Sequence, residues 1–319
     1  MIIEKWKIAQ TYTIGKYHIA NKLPCQDRTF SFEGNGVKVI ALSDGAGSQP
    51  CSEIGAEIVC KEICSLLSKN FNEYLLMFEY EKTNLTKHSQ NMSLLSKFIL
   101  DSLNTKLKDK AFELNVALKN LGCTLLFFAI KDNFYIMGHI GDGVIAGLFN
   151  ENNKPTVKVI SGPENGAASN ITFFVTDSDS NEHLRLEAGK LENLYGVIMT
   201  SDGAGDVLFN ASGVDKSVYE LFGKFNEQTS SVYEKLLNDY LSKVISNYST
   251  DDLSLNILYL EDINTETVSE EYFNYILDDI TSEKQIIRKS QYCYYLDQSI
   301  SSDYDLKDIS DVRRYLKWH

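Results

Sequence analysis

Residues 37–42 (VKVIAL) form a short apolar, β-branched run that ends at Ser43-Asp44-Gly45. That pattern predicts a buried strand running into a turn. From Ser52 the period changes, and Ile54, Ile58, Val59, Ile63, Leu66 and Leu67 share one helical face. Residues 79–91 are polar with little periodicity. A second helical stripe then runs through Leu95, Phe98, Ile99, Leu103, Leu107, Ala111 and Leu114. Strand patterns return at 125–130 (LLFFAI), 134–140 (FYIMGHI) and 144–148 (VIAGL). Turn chemistry at Lys131-Asp132-Asn133 and Gly141-Asp142-Gly143 predicts that these three form an antiparallel meander. Residues 157–160, 171–176 and 184–186 read as further short strands, and 161–170 as a loop. The first pattern recurs at 196–200 (GVIMT), a buried strand ending at Ser201-Asp202-Gly203. Helical stretches around 214–222 and 231–246 follow, and then a last strand at 253–260 (LSLNILYL), entered through Asp251-Asp252.

Helices arrive in pairs rather than between successive strands. This order predicts an α+β fold of antiparallel sheets with helices packed outside, and argues against a doubly wound parallel sheet. Composition shifts after Glu261: residues 261–319 hold 13 acidic and 7 basic side chains. Thr267 and Glu270 fit a capping box opening a helix with Phe273, Ile276 and Ile280 on one side. The expected division is a main domain, 1–262, and an acidic, helical C-terminal appendage, 263–319.

The 319-residue chain carries a formal net charge of −13. That balance disfavours nucleic-acid binding, which needs a surplus of Lys and Arg, and suits hard cations. None of the six cysteines forms a C-x-x-C pair, and Cys60 and Cys64 lie four apart in a helical pattern that suits packing. MIIEKWKIAQ lacks the apolar region of a signal peptide, and no apolar run is long enough to span a membrane. A cytoplasmic protein is expected.

The chemistry lies in acidic turns. Apolar strands run into Asp-Gly at Asp44-Gly45 and Asp202-Gly203. Asp142 sits between strands, and Asp251-Asp252 opens the final one. Each alone is more often only a turn. Carboxylates gathered from several strand ends suit Mg²⁺ or Mn²⁺, which take oxygen ligands and keep waters.

In order along residues 10–260 stand Cys25-Gln26-Asp27, Asp44-Gly45-Ala46-Gly47-Ser48, Gly122-Cys123-Thr124, Gly141-Asp142-Gly143, Ser201-Asp202-Gly203-Ala204-Gly205-Asp206 and Asp251-Asp252-Leu253-Ser254. This series resembles the motifs of metal-dependent Ser/Thr protein phosphatases of the 2C type in their bacterial style. In that family the last motif reads Asp-Asn-x-Ser/Thr. The resemblance implies a four-layer αββα fold, a central antiparallel β-sandwich flanked by pairs of antiparallel helices. It implies two Mg²⁺ or Mn²⁺ ions, bridged by Asp44 with help from the Gly45 carbonyl and completed by Asp202 and Asp251. Asp142 and Asp206 would hold a weaker third ion, shared with Asp202. Asp27, with Gln26 nearby, would orient water, while Thr124 and Ser254 would be structural. Ions about 3.5–4 Å apart activate a water that attacks phosphorus in line.

Besides Asp252 in that last motif, this chain departs from the family at Lys22, Ala46 and Gln26. Lys22 stands where relatives have a phosphate-gripping arginine, and lysine lacks that bidentate fork. Lys22 and His18 are the candidate phosphate contacts. Ala46 replaces a histidine found in some relatives, and Gln26 replaces a carboxylate. The expected partner is a phosphorylated protein, with a cytoplasmic Ser/Thr kinase in opposition; neither nucleic acid nor a membrane is expected. The alternatives are a catalytically weak pseudophosphatase that binds phosphoproteins, and a phosphohydrolase of small molecules. If the division of the chain is right, deleting residues 263–319 leaves Mn²⁺-dependent turnover of a small aryl phosphate within about twofold of the full chain, a change no larger than ordinary surface edits produce. Loss of that turnover from a truncated protein that is still folded would contradict it.

Overall fold

The computed structural model describes residues 5–78, 85–152, 154–164, 172–210, 213–225 and 230–261. The expected appendage, 263–319, lies outside them, as does Cys293. Among the described residues two five-stranded antiparallel sheets face each other. One has the order β1 (Trp6–Thr13), β12 (Leu253–Leu260), β9 (Leu194–Thr200), β6 (Val144–Glu151), β7 (Lys154–Ser161). The other has the order β2 (Arg28–Gly34), β3 (Val37–Ser43), β4 (Leu125–Lys131), β5 (Phe134–Ile140), β8 (Arg185–Lys190). Helices α2 (Ser52–Met77) and α3 (Leu85–Leu114) cover the β3 sheet. Helices α5 (Asp202–Leu208), α6 (Lys216–Phe225) and α7 (Ser230–Lys243) cover the β12 sheet. Two short helices, α1 (Lys16–Asn21) and α4 (Ser180–His183), and a two-stranded hairpin, β10 (Phe209–Asn210) with β11 (Gly213–Val214), complete the set. The expected αββα architecture is present.

The apolar runs follow from these layers. Successive side chains of a strand point to opposite faces, so a strand covered on both sides must be apolar throughout. On β3, Val37, Val39 and Ala41 meet the helices while Ile40 and Leu42 meet the other sheet. On β4, Leu125, Phe127 and Ala129 face outward, and Leu126, Phe128 and Ile130 inward. β12 does the same in mirror, with Leu253, Leu255, Ile257 and Tyr259 under α6 and α7 and Leu258 between the sheets.

Several elements differ from expectation. β1 and β2 are sheet edges, and β2 has no fully buried side chain, so its sequence lacks the apolar run that marked β3. β5 and β6 do not pair, because they belong to different sheets. Gly141-Asp142-Gly143 is therefore a crossover rather than the hairpin turn of a meander. No strand forms over 172–176: the Asp177 carboxylate accepts the Phe174 N–H at 2.8 Å and turns the chain towards α4. α3 begins at Leu85, inside the stretch expected to be aperiodic. Phe98 is 55% exposed rather than in the core, its ring edge-on to Tyr74.

Phe127 lies directly opposite Gly138 on β5, where a Cβ would sit 2.3 Å from its ring. The ring occupies the space that the glycine leaves. Phe127→Ala is expected to cost about 3–5 kcal/mol in urea unfolding, the range for a fully buried aromatic. A loss under about 1 kcal/mol would show that this layer closes around the void.

Candidate metal centre

The two sheets deliver aspartates to one rim. Asp44 follows β3 of one sheet, and Asp202 follows β9 of the other as the first residue of α5, behind Ser201. Asp251 precedes β12, which pairs with β9. Asp142 lies on the crossover joining the sheets. One carboxylate oxygen each from Asp44, Asp142 and Asp202 lies within 4.8 Å of the others. These three and Asp251 line a cleft of about 370 Å³ together with Gln26, Gly45, Ala46, Gly47, Ser48, Thr124, Thr172 and Phe174.

Backbone contacts fix the Asp44 loop. Its N–H donates to Thr124 Oγ1 at 2.9 Å, and its carbonyl accepts the Thr124 N–H at 2.8 Å. The Ala46 N–H reaches the Gly122 carbonyl at 2.9 Å. This bridge between Gly45 and Cys123 uses the residues on either side of Gly45 and leaves the Gly45 carbonyl out of the ladder. On the other sheet, Gly203 presses against the Asp251-Asp252 turn, where a Cβ would meet the Asp252 carbonyl oxygen at 2.3 Å. Gly141 has φ +119°, a conformation that favours glycine.

The electrostatics are those of crowded like charges. Burial raises the Asp44 carboxyl well above its ordinary 3.8, helped by the charges of Asp27, Asp202 and Asp142. Asp202 rises to about 7 through burial and the charges of Asp142 and Asp251, and it hydrogen-bonds Asp44. Burial also raises Asp142, whose Oδ2 accepts a hydrogen bond from the Thr172 hydroxyl. Asp206 rises through burial and the charge of Asp251. Among the described residues, no lysine or arginine lines the cleft.

The structure thus groups Asp142 with Asp44 and Asp202, while Asp251 lines the same cleft outside that trio. Asp206 is exposed and outside the lining. Asp27 is fully buried behind the cleft: its Oδ2 accepts the Ser201 hydroxyl at 2.7 Å, and burial raises it to about 7. Thr124 and Ser254 serve the loops, the latter through its N–H to Ser201 Oγ at 3.1 Å. Neither candidate phosphate contact lines the cleft. Lys22 is exposed at the C-terminal cap of α1. His18 is 4% exposed, and its Nδ1 is taken up by Asp252 at 2.7 Å. Thr172 and Phe174 went unrecognised because they come from a segment read as a short strand and carry no motif.

All cleft donors that could hold an ion are oxygens, with no histidine or cysteine among the lining residues. The set fits a hard divalent cation, whose charge would relieve the repulsion recorded in the raised pKa values. An αββα sandwich with such a rim is a scaffold suited to holding divalent cations between its sheets. The comparisons narrow it further. The sequence pattern of protein phosphatase 2C matches residues 14–242. Serine/threonine-protein phosphatase 3 of Escherichia coli (strain K12) is 24% identical over 259 residues, covering 77% of this chain and 95% of its own. A crystal structure of a bacterial serine phosphatase superposes with a TM-score of 0.55 at 17% identity, over 80% of this chain and 98% of that one. The catalytic domain of the serine/threonine protein phosphatase PstP, in complex with two manganese ions, gives 0.52 at 14% identity, over 81% and 99%. This chain belongs to the protein phosphatase 2C family.

Stability should report the repulsion. In the unfolded chain these aspartates ionise near 3.8, whereas folded Asp27 and Asp202 hold protons to about 7. Between those values the folded state binds more protons, so its stability falls as pH rises. Metal-free protein is expected to melt at a lower temperature at pH 8 than at pH 5, and millimolar Mn²⁺ is expected to restore most of the difference. A melting temperature that rises over this interval would contradict it.

Proposed function

We propose that this protein hydrolyses phosphoserine and phosphothreonine in protein substrates at a divalent-cation centre. Asp44, Asp202 and Asp251, with the Gly45 carbonyl, would hold two ions, Mg²⁺ or Mn²⁺, and Asp142 and Asp206 a weaker third. The observation that carries this reading is a cluster of buried carboxylates, raised above their ordinary range, in a cleft that no basic side chain lines among the described residues. Such a cleft would repel a phosphate dianion unless cations filled it. Bound there, divalent cations supply Lewis acidity and acidify water.

The chain's own residues supply position. Thr124 and the Gly45–Cys123 bridge hold Asp44 at the end of a rigid strand. Asp27 keeps Oδ2 on the Ser201 hydroxyl, which ties the start of α5 to the segment before β2; in this reading its carboxylate would orient a water from behind the cleft. Ala46 cannot donate a proton, so the departing alkoxide takes its proton from solvent. Neither Lys22 nor His18 lines the cleft, so cations held by Asp44, Asp202 and Asp251 would supply the positive charge that a phosphate needs there.

A reducing, cytoplasmic setting agrees with the free thiols of Cys25, Cys51, Cys60, Cys64 and Cys123, and the enzyme would there oppose a Ser/Thr kinase. Among the described residues, no helix is long and apolar enough to cross a membrane. Asp202→Asn is expected to lower Mn²⁺-dependent phosphopeptide turnover by about a hundredfold or more, since replacing a direct ligand should cost at least what outer-shell changes do. Wild-type turnover by that variant, or faster hydrolysis of nucleotides than of phosphopeptides by the native protein, would overturn the reading.

A further inference from the structure

Asp252 stands where the family motif has asparagine, and its carboxylate is 2% exposed. Three donors satisfy it. Oδ1 accepts the Gly15 N–H at 2.6 Å, and Oδ2 accepts the Gln26 N–H at 2.5 Å and His18 Nδ1 at 2.7 Å. A carboxylate can only accept from these partners, so His18 carries its proton on Nδ1. All three donors come from residues 15–26, the connection that leaves β1 on one sheet and enters β2 on the other. This connection is pressed onto the acidic turn. The Tyr17 N–H reaches the Thr250 carbonyl at 2.9 Å, and a Cβ on Gly15 would lie 2.2 Å from the Asp251 carbonyl carbon.

The chain of contacts continues into the cleft. Gln26, held by Asp252, accepts the Gly45 N–H on its own carbonyl at 3.2 Å. Asp251 on one sheet is thus linked through Asp252 and Gln26 to Gly45 and Asp44 on the other. Removing His18 would leave a buried carboxylate short of its only side-chain donor among the described residues, and such a group recovers by drawing in water or shifting. Either response moves Gln26, and Gly45 with it. Asparagine could not replace Asp252 here. Both carboxylate oxygens receive backbone N–H groups, so either amide orientation would set an NH₂ against one of them.

We infer that His18 and Asp252 are positioning residues that set the separation of Asp251 from Asp44 and Gly45, and thereby the affinity of the centre for divalent cations. The inference rests on the metal centre proposed above.

The test uses the full chain, with Mn²⁺ titrated calorimetrically into metal-free protein, and with kcat and KM measured on an aryl phosphate. His18→Ala is expected to weaken Mn²⁺ binding about tenfold and to lower kcat, with KM changed less than about twofold. His18→Asn, whose amide N–H takes the place of Nδ1, is expected to recover most of that affinity. Asp252→Asn is expected to resemble His18→Ala. Wild-type Mn²⁺ affinity in folded His18→Ala would overturn the inference and leave the metal centre standing. Absence of Mn²⁺ binding by the native protein would overturn the metal centre itself. Should His18→Ala fail to fold, the contrast between His18→Asn and His18→Gln decides, because the glutamine amide reaches the Nε2 position instead. Equal Mn²⁺ affinity in those two would also overturn the inference.

Discussion

Asp44, Asp142, Asp202 and Asp251 repel one another, and the fold holds them at one rim with no basic side chain lining the cleft among the described residues. Protons or cations must then relieve the repulsion. The raised carboxyls of Asp44 and Asp202 record the first solution, and the oxygen-only donor set suits the second. Much of the local structure follows from that constraint. A loop that carries crowded like charges needs its backbone pinned, and Thr124, the Gly45–Cys123 bridge and the close contact of Gly203 with Asp252 do the pinning.

Rigidity comes from burial on both faces of the central strands. A strand covered by helices on one side and a second sheet on the other has little freedom to slip, because a one-residue shift would exchange its two apolar faces. Asp44 follows directly on such a strand, and Asp202 follows one after a single residue, Ser201. The same double cover explains why the two runs ending in Asp-Gly stood out along the chain.

What was legible in the sequence follows that physics. β3, β4, β9 and β12 are buried on both faces and announce themselves as apolar runs. β1 and β2 are edges with mixed burial, and they did not. The motif series located every aspartate now found in the cleft. Pairing was harder to read. Gly141-Asp142-Gly143 has hairpin chemistry, yet it links two sheets, and local turn preference carries no information about which sheet follows. His18 was read as a candidate phosphate contact. Its partner, Asp252, lies 234 residues away, a pairing that no local pattern encodes.

The crossover at Asp142 has one further consequence. Its carboxylate hangs from a short tether anchored in both sheets, while Asp44 moves with one sheet and Asp202 with the other. The spacing of the trio is therefore a readout of how the layers sit on each other, and the layer between them is Leu42, Leu126, Phe128, Ile145 and Met199. Interiors packed this densely transmit small volume changes rather than absorb them. Exchanging one of these side chains for another of slightly different bulk, harmless to folding, would therefore retune the chemistry at the rim.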